Sequence, residues 1–282
     1  MRERVRVSII SYLNTAPLVW PLLRDRPPEL EFDFTVPSRC ADDLAAGLVD
    51  VGIIPSIEYQ RIPDLVVLAG PAIASRERVR SILLLSRKPL DQIQTVAADI
   101  SSRTSVALAE LVLRCRYGCR PEVRPAEPDP SAMLAACDAA VVIGDPALHY
   151  SLAPLPGVTA VDLAAEWRTW TGLPFVFAFW AARREAGTPA MARLFADARD
   201  GGLAALDTIV PLEAARRRLP EPLVRDYLTR NIWFHLDADC LAGLDRFYAL
   251  AAEHKLIQRV APLELVQPAG AAPMVAVTEK TA

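Results

Sequence analysis

At 282 residues, with 52% hydrophobic and 23% charged side chains, the chain has the composition of a folded globular protein and the length for one large domain or two lobes. A net charge of −3, with Lys and Arg spread along the chain, leaves no nucleic-acid footprint, and no apolar run reaches the roughly 18 residues that span a bilayer. Five scattered cysteines and three histidines supply neither a disulfide framework nor a metal-ligand spacing, so no metal is expected.

The chain enters an apolar strand at Val5 with no export segment ahead of it, which predicts a cytoplasmic protein. Through the first half, short apolar runs alternate with amphipathic stretches, the pattern of an α/β fold. Strands are predicted at 5–10, 31–36, 51–54, 66–68, 81–86, 95–98 and 140–143, with helices at 17–23, 38–48, 56–62, 104–117, 131–137 and 145–151. The aromatic run from Phe175 to Trp180 reads as a buried strand, and beyond it the chain is helical at 189–209, 212–218, 221–231 and 237–254. The tail after Pro262 has too little to pack and is expected to be loosely held.

Two long apolar strands, 81–86 and 175–180, bracket the middle segment, and the economical arrangement is two α/β lobes. Residues 1–86 with 180–282 form one lobe and 87–179 the other, with the two strands as crossings. The Leu, Val and Ala of the C-terminal helices fill either a core or a homodimer interface.

Small polar residues recur where a strand gives way to a helix. The first case is Ser11-Tyr12-Leu13-Asn14-Thr15-Ala16-Pro17-Leu18, where Asn14 and Thr15 are helix-capping types and Pro17 suits an early helical position. Ser56 follows Pro55 in the second. The third is Ser101-Ser102-Arg103-Thr104-Ser105, with four hydroxyls and a guanidinium, more than one cap requires. In the fourth, Gly144 precedes Asp145 as N-cap and Pro146 as the first helical residue. Gly144 would let a ligand approach the backbone. Each junction is explained by capping alone, but four on one end of a two-lobed protein converge on a cleft. Helix N-termini there favour a carboxylate or another anion.

No Gly-x-Ser-x-Gly, P-loop or Gly-x-Gly-x-x-Gly occurs, so serine hydrolases, nucleotide hydrolases and dinucleotide enzymes lack support. His149 lies one turn into its helix, where it either faces the cleft or serves the structure. Asp42 and Asp43 read as complements to a helix dipole after Ser38.

Together these segments resemble the chorismate dehydratases of the futalosine-type menaquinone pathway. The resemblance is carried by the 11–18 octapeptide and by Gly47-Leu48-Val49-Asp50-Val51-Gly52-Ile53-Ile54-Pro55-Ser56. It continues through residues 101–105, Ile143-Gly144-Asp145-Pro146-Ala147-Leu148 and Trp170-Thr171-Gly172-Leu173-Pro174-Phe175-Val176-Phe177-Ala178. It implies a two-lobed fold like the type II periplasmic solute-binding proteins, with the ligand in the cleft. It also implies loss of water from chorismate, giving 3-[(1-carboxyvinyl)oxy]benzoate, without a cofactor.

On that reading Asn14 meets the reacting face, while Ser102, Arg103, Thr104, Ser105, Gly144 and Asp145 receive the substrate carboxylates. Ser11, Thr15, Ser56 and Ser81 are further contact candidates. With no basic side chain in view, the enolpyruvyl carboxylate of the substrate itself is the expected proton acceptor. Two other functions fit the same residues: a non-catalytic binder of a small acid, and the sister enzyme that makes 1,4-dihydroxy-6-naphthoate. Turnover of chorismate separates all three.

Overall fold

The computed structural model describes residues 4–270. In chain order its strands are β1 (Val5–Ile10), β2 (Leu30–Thr35), β3 (Val51–Pro55), β4 (Leu65–Ser75), β5 (Ile82–Ser86) and β6 (Thr95–Asp99). These are followed by β7 (Glu122–Ala126), β8 (Ala139–Ile143), β9 (Thr159–Asp162), β10 (Phe175–Arg183), β11 (Trp233–His235) and β12 (Leu265–Val266). The helices are α1 (Ala16–Asp25), α2 (Pro37–Ala45), α3 (Thr104–Tyr117), α4 (Pro130–Ala136), α5 (Gly144–Leu152) and α6 (Leu163–Thr171). The C-terminal part adds α7 (Pro189–Ala204), α8 (Leu206–Arg217), α9 (Glu221–Asp226) and α10 (Ala238–Glu253).

The strands form two sheets. The first has the order β11-β4-β10-β3-β1-β2, with β12 also on β4; the second has the order β7-β6-β8-β5-β9. In the first sheet β1 runs parallel to β2 and β3, whereas β10 is antiparallel to both β3 and β4. Every residue of β3 and β5 is buried, as is β10 up to Arg183, which explains their unbroken apolar character.

The chain passes between the sheets twice, through 76–81 and 163–174. β5, placed in the first lobe by a division at 86, pairs with β8 and β9 in the second sheet. Residues 175–179, placed with the second lobe, pair with β3 and β4 in the first. The Asp162 carboxylate ties the two passages together. It caps α6 through Ala164 and Ala165 N–H, both at 3.1 Å, and also accepts Val79 N–H at 3.0 Å and Arg80 N–H at 2.7 Å.

Several local expectations change. β4 extends well beyond the predicted 66–68 and runs over Gly70-Pro71, where Gly70 takes a φ of +114° and the pairing with β10 shifts register. The stretch 189–209 is two helices, and 221–231 ends in a π-helical turn, Tyr227–Asn231. In the tail, Leu265 and Val266 pair with Val67 and Leu68; the remainder of that tail, 271–282, lies outside the described residues, as do residues 1–3. Asp42 and Asp43 are not first-turn groups of α2, which begins at Pro37. Asp43 accepts from Arg39 at 2.8 Å and Asp42 from Arg103 at 2.7 Å.

Candidate active site

The C-terminal end of β1 turns through a single 3-10 turn, Leu13–Thr15, into α1. Asn14 and Thr15 were expected to cap this helix, but neither side chain accepts an N–H from it. They face each other instead: the Thr15 hydroxyl donates to Asn14 Oδ1 at 3.4 Å. The Asn14 carboxamide is 8% exposed and lines a cleft between the two sheets.

That cleft holds about 420 Å³ of empty space. The first sheet supplies Ile10, Tyr12, Asn14, Pro37, Pro55, Ile73, Phe177 and Ala178. The second supplies Ile82, Ser102, Arg103, Thr104, Ser105 and Ile143. The wall is therefore largely apolar, with a carboxamide on one side and a cluster of hydroxyls opposite. A larger groove of about 830 Å³ lies outside β1, between α1 and α8, and draws only on elements of the first sheet. Ser11 and Thr15 line that outer groove and not the cleft, contrary to expectation. The Ser11 main chain is held by Thr35 and Arg217.

α3 begins at Thr104, and no side chain caps it. Its first-turn N–H groups thus open into the cleft, where a helix end attracts negative charge. The hydroxyls of Ser102 and Ser105, 7% and 4% exposed, have no hydrogen-bond partner among the described residues. Thr104 reaches across the cleft, accepting the Ile57 N–H at 3.2 Å. Arg103, in contrast, is already neutralised. Its guanidinium donates to Glu58 at 2.7 Å and to both oxygens of Asp42 at 2.7 and 2.9 Å, which ties the second lobe to the first.

Three other predicted contacts are occupied by the protein itself. Ser56 does not cap a helix; its hydroxyl donates to Val176 O at 2.8 Å and its carbonyl accepts from Tyr248 at 2.7 Å. Asp145 is not an N-cap, because α5 starts one residue earlier, at Gly144. Its carboxylate accepts Leu13 N–H at 3.0 Å and Arg217 Nε–H at 2.8 Å, joining α5 to the Asn14 turn and to α8. Gly144 has a φ of +63°, and a Cβ there would lie 2.9 Å from the Tyr12 ring. The space freed by this glycine is filled by Tyr12, not by a ligand. His149 is exposed and takes no part in the cleft.

Sequence reasoning passed over two tyrosines. Tyr12 lines the cleft, and its hydroxyl lies 3.0 Å from Ser101 Oγ, which in turn donates to Asp99 at 2.6 Å. Burial, opposed by the Ser101 hydrogen bond, pushes the Tyr12 phenol up to about 12. Burial also raises the Asp99 carboxyl above the usual carboxylate range. Tyr227 sits behind the cleft, fully buried, and donates to Ser81 Oγ at 2.8 Å. Burial raises this phenol as well, opposed by its hydrogen bond with Ser81. Tyr12 belongs to the 11–18 octapeptide itself, whereas Tyr227 opens a π-helical turn with no local motif to mark it.

The profile of the menaquinone biosynthesis family matches residues 5–253. A chorismate dehydratase of Thermus thermophilus is 32% identical over 252 residues, covering 84% of this chain and 91% of that protein. Among solved structures, a protein of Archaeoglobus fulgidus superposes with a TM-score of 0.73 at 16% identity, over 90% of this chain and 98% of its own. The periplasmic aliphatic sulphonate binding protein of Escherichia coli gives 0.63 at 18% identity, over 99% of both chains. At those identities the structural matches speak to the two-lobed periplasmic-binding-protein fold alone.

Proposed function

The chain belongs to the menaquinone biosynthesis family and is a chorismate dehydratase, a hydro-lyase, and we propose that Asn14 and the start of α3 divide the work of that reaction between the two walls of the cleft. In chorismate the C3 proton and the C4 hydroxyl leave as water, and the ring becomes aromatic. The driving force lies in the substrate. What the protein must supply is one bound conformer, stabilisation of charge on the departing oxygen, and exclusion of solvent.

The observation that carries this reading is the pairing of Asn14, free of any capping duty, with the uncapped end of α3 across the cleft. The hydroxyls of Ser102, Thr104 and Ser105, with the first N–H groups of α3, receive a substrate carboxylate. Asn14 donates an N–H to the C4 oxygen as its bond to carbon breaks. The enolpyruvyl carboxylate takes the C3 proton, since the residues lining the cleft include no histidine, lysine or carboxylate and its one guanidinium, Arg103, is ion-paired. Arg103 and Asp145 act at one remove: their ion pairs fix the lobes against each other and the Asn14 turn against α5. A cytoplasmic location accords with a biosynthetic role, and no described helix is long and apolar enough to cross a membrane.

The test is turnover of chorismate, followed by absorbance of the aromatic product. Asn14→Ala should lower kcat by about a hundredfold, the usual cost of losing one preorganised donor, with a smaller change in KM. An Asn14→Ala enzyme with the parent kcat would remove Asn14 from the chemistry.

A further inference from the structure

The residues that line the cleft are buried, apart from Tyr12 and Arg103, which are half-buried and so mark its mouth. The Tyr12 hydroxyl is held 3.0 Å from Ser101 Oγ. Arg103 is the one charged side chain on the cleft wall among the described residues, and an entering substrate must pass it.

This arginine stands directly before α3, on the second lobe, beside Ser102 and two residues from Ser105. Both of its partners belong to the first lobe: Asp42 lies on α2, and Glu58 lies in the 3-10 turn Ser56–Gln60 after β3. Three bonds of 2.7, 2.7 and 2.9 Å thus latch the mouth. Parting the lobes would not treat the three residues equally. Glu58 also accepts from Arg61 of its own lobe at 2.7 Å, and the Asp42 side chain is 56% exposed, where water can serve it. Arg103 has no acceptor on its own lobe among the described residues, so it loses every ion pair at once.

We propose that Arg103 is a substrate-capture residue, latched to Asp42 and Glu58 when the mouth is closed and free to take a chorismate carboxylate when the lobes part. The proposal rests on the carboxylate site read at α3 above. A guanidinium matches a carboxylate with two parallel N–H bonds. Chorismate is a dianion and the chain carries a net charge of −3, so at long range the protein repels its substrate. A cation uncovered only in the open form offsets that repulsion at the mouth. When the lobes close again, Asp42 and Glu58 reclaim the guanidinium. The carboxylate then passes to the neutral hydroxyls of Ser102 and Ser105 and to the first N–H groups of α3. The product keeps both carboxylates, so a cation that lets go after entry does not hold it back.

The two ends of the latch separate capture from bracing. Asp42→Ala and Arg103→Gln both loosen the mouth, and a latch that only braced the lobes would make them behave alike. Capture makes them diverge. With Arg103 freer, Asp42→Ala should keep kcat/KM for chorismate at or above the parent, up to about threefold higher. Arg103→Gln should lower kcat/KM about tenfold or more. Between about 20 and about 300 mM NaCl, kcat/KM should fall more steeply for Asp42→Ala than for Arg103→Gln, whose mouth has no cation to screen. A fall in kcat/KM for Asp42→Ala, a parental kcat/KM in Arg103→Gln, or equal salt slopes overturns the proposal. Should Arg103→Gln fail to fold, Asp42→Ala carries the test alone, because an exposed side chain on α2 can be truncated without disturbing the core. If Ser105→Ala leaves KM unchanged, the carboxylate site at α3 is misplaced and the capture role falls with it. A raised KM there beside a parental Arg103→Gln removes the capture role alone.

Discussion

Helices α4, α6, α7 and α10 each begin under a side chain that accepts their first N–H groups, from Asp129, Asp162, Thr188 and Asp237. Helices α1, α3 and α5, whose starts gather around the cleft, have no such cap, and neither do α2, α8 and α9. A side-chain cap contributes about 1 kcal/mol, so the bare starts represent stability left unused. At α3 the open N–H groups and idle hydroxyls are what a carboxylate needs. At α1 and α5 the cap-type residues Asn14 and Asp145 are turned to other partners, the hydroxyl of Thr15 and the guanidinium of Arg217. At α3, where a bare start coincides with cleft-lining hydroxyls, the residues are held ready for a ligand, whereas the capped starts hold the fold.

The largest disturbance to this division should come from behind the cleft. A Cβ on Gly202 in α7 would lie 1.7 Å from Pro17 O, so Gly202→Ala must push α1 and the Asn14 turn forward. We expect a loss of about 3 kcal/mol in denaturant unfolding together with a fall in kcat, since the turn cannot move without moving Asn14. Ser105→Ala should act on binding alone. Its hydroxyl has no partner to strand, so Tm stays within about a degree while KM for chorismate rises about tenfold. Asp129→Ala should do the reverse, costing about 1 kcal/mol with both kinetic constants unchanged. Equal effects of these last two on KM would abolish the distinction between the two groups of helix starts.

The smallest effect concerns acid. Although burial opposes it, the Cys240 N–H, Arg76 and Trp233 hold the Asp237 carboxyl below its ordinary range. A depressed folded pKa means that this cap stabilises above the unfolded value of about 4 and that the contribution is lost as pH falls through the folded one. Tm measured from pH 6 down to pH 3 should therefore fall less steeply for Asp237→Asn than for the parent. Parallel curves would show that the carboxylate's charge contributes nothing there.

Residue types at the strand-to-helix junctions carried most of the architecture and the position of the cleft in the sequence. What they did not carry was the partner of each group. Asn14, Ser56 and Asp145 look like caps because Asn, Ser and Asp cap helices. Asn14 accepts from the neighbouring Thr15 hydroxyl instead, and the actual partners of Ser56 and Asp145, Val176 and Arg217, lie 120 and 72 residues away. Arg103 looks like an anion receptor for the same reason, and Glu58 and Asp42 reach it only once the lobes meet. Gly144 reads as room for a ligand because it lacks a side chain, yet the group that fills this room is the Tyr12 ring. Short or polar strands such as β7, β11 and β12 carry no alternation to detect, and they form because a neighbour offers an edge.

The antiparallel strand β10 sits between β3 and β4, yet it is made only after the whole second sheet, which occupies 82–162 without interruption. During synthesis, then, the five-stranded sheet can close as soon as its own residues emerge, while β3 waits with one edge open and β4 with both. Until residue 183 arrives, the most apolar strands of the first sheet have no partner on that side. Exposed edges of this kind invite pairing with another chain. The nascent protein is thus most vulnerable to aggregation in the interval between finishing β9 and laying down β10, and a chaperone's help would be worth most there.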